Sequence, residues 1–144
     1  MQRSALALAV LLIAAPAVAD TERLRRGEDV VRQLNNDQPQ PALEALRQDF
    51  PALADAITGY ALGEVWGRGQ LDPRTRQLAT VAAFAATGNR AQMKVHAGYA
   101  LNLGVSRDEL KEIVMLTTVH AGFPRAIDAA QTLSELFRER GATP

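Results

Sequence analysis

The chain contains two histidines, His96 and His120, and no cysteine. The missing thiols exclude disulfides, thiolate zinc sites, a cysteine nucleophile and CxxC redox chemistry. The segment Tyr60–Arg76, YALGEVWGRGQLDPRTR, gathers Glu64, Trp66, Arg68, Arg74 and Arg76 between Gly59, Gly63, Gly67 and Gly69. Guanidinium groups hold a substrate carboxylate, and a carboxylate or an imidazole moves a proton. Glu64 and Arg68 also stand at the spacing of a plain i, i+4 helix pair. His96 falls on a helix face with Met93, Ala100 and Leu103, beside an apolar stripe. His120 ends a helix on its buried stripe, a place that the helix dipole favours on its own. His96, His120 and Glu64 could form a facial metal triad, but no HxH or HExxH spacing supports one, and no metal ligand is assigned.

The elements that must position these groups read as helices, and no alternating β-branched run predicts a strand. Asp72-Pro73 is an N-cap followed by proline at the first helical position. Leu78, Val81, Ala82 and Ala85 form the stripe of that helix, and Gly88 stops it. A second helix is expected over Arg90–Leu103, closed by Gly104. Ser106 and Glu109 make a capping box, followed by a stripe through Leu110, Ile113, Val114, Thr117 and His120. Gly122-Phe123-Pro124 breaks that helix. The last one repeats Ile127, Ala130, Leu133 and Phe137 at helical spacing. Upstream, Thr21–Asn35 reads as a charged helix and Asn35–Pro41 as a turn or linker. Leu43–Leu62 reads as one helix interrupted at Pro51, or two.

The sequence has 144 residues, with sixteen Lys and Arg balancing sixteen Asp and Glu. A zero balance argues against nucleic acid as the partner. Residues 1–19 have the pattern of a cleaved secretory signal: Arg3, the apolar run Ala5–Ala15, then Ala17-Val18-Ala19. Eleven apolar residues fall short of the ~20 that span a bilayer, so no membrane association is expected once the signal is removed. The expected organisation is a signal over 1–19, an N-terminal helix and linker over 20–41, and a helical domain over 42–144. The mature protein is expected to be exported, to the periplasm. Aromatics are only 5% of the chain. Alanine-rich helices bury little area each, so burial between subunits is expected as well.

Several blocks, in order, resemble the carboxymuconolactone decarboxylase family. They are Gly63–Arg76 (G-E-V-W-x-R-x-x-L-D-x-x-T-R), the His96–Gly104 spacing, Gly104–Glu112 and His120–Pro124, within a span from Phe50 to Phe137. The resemblance implies an all-α, alkylhydroperoxidase D-like bundle of about six helices, assembled as a trimer or hexamer. It implies decarboxylation of a small carboxylated lactone such as 4-carboxymuconolactone, with no cofactor. The implied site has His96, Glu64 and Arg68 as catalytic residues, with Arg76, His120 and Trp66 binding substrate, in one pocket at a subunit boundary. The redox branch carries C-x-x-C-x-x-x-H. Here Asn89 and Gln92 occupy the cysteine positions, which leaves no thiol for peroxidase chemistry. The usual Arg-Pro-Gly is Arg68-Gly69-Gln70, so the loop after Arg68 is shaped differently. Export would separate the chain from an intracellular lactone. A different lactone or small acid is then expected, either as substrate or as the ligand of a non-catalytic binding protein of the same fold.

Overall fold

The computed structural model describes residues 20–141. The expected signal segment lies outside these residues. The fold is all-α, as the sequence predicts, with no strand among the described residues. The described residues form seven α-helical segments and one π-helical segment. The chain divides into two compact units, one ending at Arg68 and the other beginning at Gly69.

In the first unit, α1 (20–34) is the expected charged helix, with Arg25 bridging Glu22 and Asp29. A turn follows at Asn36 and Asp37, both with positive φ, a conformation these short polar side chains tolerate. Then come α2 (Pro41–Asp49), α3 (Pro51–Ala56) and a π-helix (Ile57–Trp66). Pro51 restarts the helix rather than kinking it. The stretch from Leu43 to Leu62 therefore becomes three segments. Val31, Leu43 and Ala54 form the core, with Leu46, Ile57 and Leu62 packed against it.

Glycines set the distance between α1 and the π-helix. A Cβ at Gly27 would overlap the Thr58 carbonyl, and one at Gly63 would overlap the Arg23 carbonyl. Backbone therefore lies on backbone at both contacts. The π-helix closes through Gly67 N–H donating to the Leu62 carbonyl at 2.9 Å, a five-residue bond in place of the α-helical four.

The second unit is a bundle of α4 (Pro73–Thr87), α5 (Arg90–Asn102), α6 (Arg107–Ala121) and α7 (Phe123–Glu139). The expected punctuation is present. The Asp72 carboxylate accepts from Thr75 N–H at 3.0 Å. Gly88 takes the left-handed conformation, φ 74°. Ser106 and Glu109 form the full capping box. Val81, Ala85, Met93, Ala97, Ala100, Val105, Leu110, Ala129, Leu133 and Leu136 fill the core. Arg74 donates to both oxygens of Glu109, at 3.0 and 3.1 Å, and ties the start of α4 to the start of α6.

Two expected stripes are corrected. On α7 the buried face is Ala126, Ala129, Leu133 and Leu136, while Ile127 and Ala130 are exposed. Small residues allow close helix approach, so the alanine face turns inward and the bulkier isoleucine stays out. On α6 the stripe runs from Leu110 through Thr117 to half-buried Ala121, four residues on, which leaves His120 exposed.

Gly27→Ala should cost about 1–3 kcal/mol, because the added methyl meets backbone that cannot yield as a side chain would. Urea unfolding checks this beside Gly69→Ala, a position with open space around it. Equal stability of the two variants would refute the close-contact reading.

Candidate functional site

His96 lies on the middle of α5, half-buried. Its ring is flanked by Phe84 of α4, with centroids 5.3 Å apart, and meets Tyr99 edge-on at 5.5 Å. Its Nδ1 is 3.0 Å from Oε1 of Gln77. Gln77 sits on the first turn and a half of α4 and has no solvent exposure. Burial pushes the His96 pKa down to about 4, since the apolar surroundings penalise the cation. The imidazole is therefore neutral at physiological pH. A neutral, partly enclosed imidazole oriented by a hydrogen bond to Gln77 can accept a proton and return it.

Arg76 precedes Gln77 on α4, is half-buried, and donates to the Leu71 carbonyl at 3.3 Å. That bond folds the guanidinium back over the loop that leads into the helix. His120 is exposed in the last turn of α6, a correction to its expected place on the buried stripe. Arg74, the remaining arginine of this segment, is engaged in the Glu109 clamp.

In the first unit, Glu64 and Trp66 belong to the π-helix and are half-buried. Arg23 of α1 donates to Glu64 at 2.7 Å and also pairs with Asp20. The bond to Glu64, foremost, raises the Arg23 pKa further. Both side chains keep contact with solvent, so the pair orients Glu64 more than it stabilises the fold. The helix ends at Trp66, and Arg68 is exposed beyond it. The four-residue spacing of Glu64 and Arg68 therefore is not an i, i+4 pair on one helix.

A model of the carboxymuconolactone decarboxylase family matches residues 51–135. The 4-carboxymuconolactone decarboxylase of Acinetobacter baylyi is 32% identical over 126 residues, covering 87% of this chain and 94% of that protein. The chain belongs to the carboxymuconolactone decarboxylase family. The nitrosuccinic acid decarboxylase of Metarhizium robertsii is 33% identical over 75 residues, about half of each chain (52%). A 15.0 kDa protein of Paracoccus denitrificans is 26% identical over 122 residues, 78% of this chain and 87% of that one. The family match contains Glu64, Trp66, Arg68, Arg76, His96 and His120.

Sequence reasoning missed Gln77 and Arg23. Gln77 carried a signal: it stands four residues before Val81 and eight before Ala85, a polar residue in register with the buried stripe. Arg23 carried none, because its partner is 41 residues away.

His96 also sets an acid limit on stability. In the unfolded chain it titrates near 6.5, and in the folded chain near 4. Between these values the unfolded chain binds more protons, so stability falls as pH drops from 6.5 to 4, by about 3 kcal/mol. Urea unfolding at pH 7 and pH 4 should show that loss, and His96→Gln should lack this part of it. An identical pH slope in the variant would refute the buried neutral histidine.

Proposed function

We propose that the protein is a cofactor-independent decarboxylase acting on a small carboxylated lactone or a related small acid. The observation that carries this reading is the neutral His96, enclosed by Phe84 and Tyr99, in a chain of this family. The named relatives support the substrate class. One acts on 4-carboxymuconolactone and the other on nitrosuccinic acid. Each substrate name combines a carboxylate with an electron sink, a lactone carbonyl or a nitro group.

Loss of CO2 breaks a carbon–carbon bond and leaves its electron pair in that sink. A proton must then replace CO2. A substrate carboxylate near His96 raises the imidazole's affinity for a proton. The free site is neutral, and substrate binding loads it with the proton that the carbanion then receives. Arg76 and Arg68 carry the charge suited to hold the carboxylate and steady the developing anion. Trp66, Glu64 and His120 complete the set that the family blocks single out.

We further propose that the protein is exported and self-associates. The pattern of residues 1–19 supports export. Self-association is supported by Met115, Leu116, Val119, Phe123 and Ile127, large apolar side chains exposed on α6 and α7, Val119 by 76% and Phe123 by 72%. Exposed apolar surface of this kind marks an interaction site. Expression of the full sequence should yield a periplasmic protein beginning at Asp20 that elutes as a trimer or hexamer. Val119→Glu should dissociate it. A cytoplasmic, uncleaved or monomeric wild-type protein would refute the corresponding part.

The test of activity is direct. The mature protein should release CO2 from 4-carboxymuconolactone or another small carboxylated lactone, and His96→Ala should lower kcat by at least about 100-fold. Thermal stabilisation by these acids without CO2 release would replace the enzyme with a binding protein of the same fold.

A further inference from the structure

Gln77 is a glutamine with no solvent exposure, placed in register with an apolar stripe. Its Oε1 faces His96 Nδ1 at 3.0 Å, and its Nε2 is buried with no hydrogen-bond partner. A leucine of similar volume would fill this place without leaving a donor unpaired. The glutamine that stands here instead brings its carbonyl oxygen onto the imidazole.

An amide oxygen accepts and cannot donate, so Nδ1 carries the hydrogen. A neutral imidazole has one N–H, which leaves the lone pair on Nε2. We propose that Gln77 is a positioning residue that fixes His96 in the Nδ1–H tautomer and so makes Nε2 the nitrogen that exchanges the proton. This rests on the decarboxylase reading only for what Nε2 protonates. A glutamate here would also accept from Nδ1–H, but its charge would favour the imidazolium and raise the titration. Glutamine sets the tautomer and leaves the ring uncharged. Arg90 and Lys94 of α5 pair with Asp128, Glu135 and Glu139 of α7, and Arg140, just past α7, bonds Asn102 and the Gly98 carbonyl. Burial is what keeps His96 neutral.

The test is 15N NMR of the imidazoles in the intact protein at neutral pH, with His96 identified by its loss in His96→Gln. The wild type should show a protonated Nδ1 and a bare Nε2. Gln77→Leu should lose the preference for that tautomer and lower kcat/KM about 100-fold. Gln77→Glu should keep Nδ1–H while the His96 titration rises by about 1–3 pH units. A wild-type Nε2–H tautomer would overturn the proposal, as would an unchanged tautomer and titration in the variants. If Gln77→Leu fails to fold, the wild-type spectrum and Gln77→Glu still decide. No substrate enters the NMR arm. A Gln77-dependent tautomer without turnover would retire the decarboxylase reading and keep the positioning role.

Discussion

A hydrogen bond between a fully buried glutamine and a half-buried histidine constrains how two helices of the second unit meet. Gln77 occupies a core position on α4 and His96 the facing side of α5, 3.0 Å apart. For the bond to form, α4 and α5 must keep one register and one separation. The rest of the unit is arranged to allow it. Val81, Ala85, Met93, Ala97 and Ala100 of the same two helices belong to the buried core. Close packing excludes water, and that exclusion is what keeps the imidazole neutral. Apolar packing and the protonation state of the candidate catalytic group are thus one feature.

The first unit meets a similar demand for close approach by a different route. Gly27 and Gly63 remove the side chains that would separate α1 from the π-helix. The contact brings the Arg23 side chain to Glu64. A carboxylate on a short, glycine-rich helix would otherwise sample many positions. Here an arginine from 41 residues away holds it at 2.7 Å. Gly27 and Gly63 thus act as helix-packing residues. The π-helical winding between them carries Thr58, Gly59 and Gly63 to the buried side.

Small residues turned inward leave large ones outside. On α7 the alanines at 126 and 129 take the core, and Ile127 remains at the surface. On α6 Met115, Leu116 and Val119 do the same, and His120 shares that exposed turn. An alanine-rich bundle gains little apolar burial within one chain. The apolar surface it leaves exposed is the physical ground for the self-association proposed above, and His120 lies beside that surface.

The sequence by itself determined the class of fold and most of the helix ends. Asp72-Pro73, Gly88, the Ser106–Glu109 box and Gly122 act through bonds to residues a few positions away. Local chemistry of that kind is fully written in a short stretch of residues. The ordered blocks from Gly63 to Pro124 determined the family, and they marked His96 and Glu64 as residues to follow. Only the tertiary structure decided what those residues touch. Gln77 and His96 are 19 positions apart, and Arg23 and Glu64 are 41 apart. No spacing rule links residues on different helices, because their meeting depends on how helix faces rotate and how closely they pack. The same dependence turned Ala126 and Ala129 inward and Ile127 outward. Helical periodicity names a repeating face. The size of the side chains on the facing helix selects which face is buried.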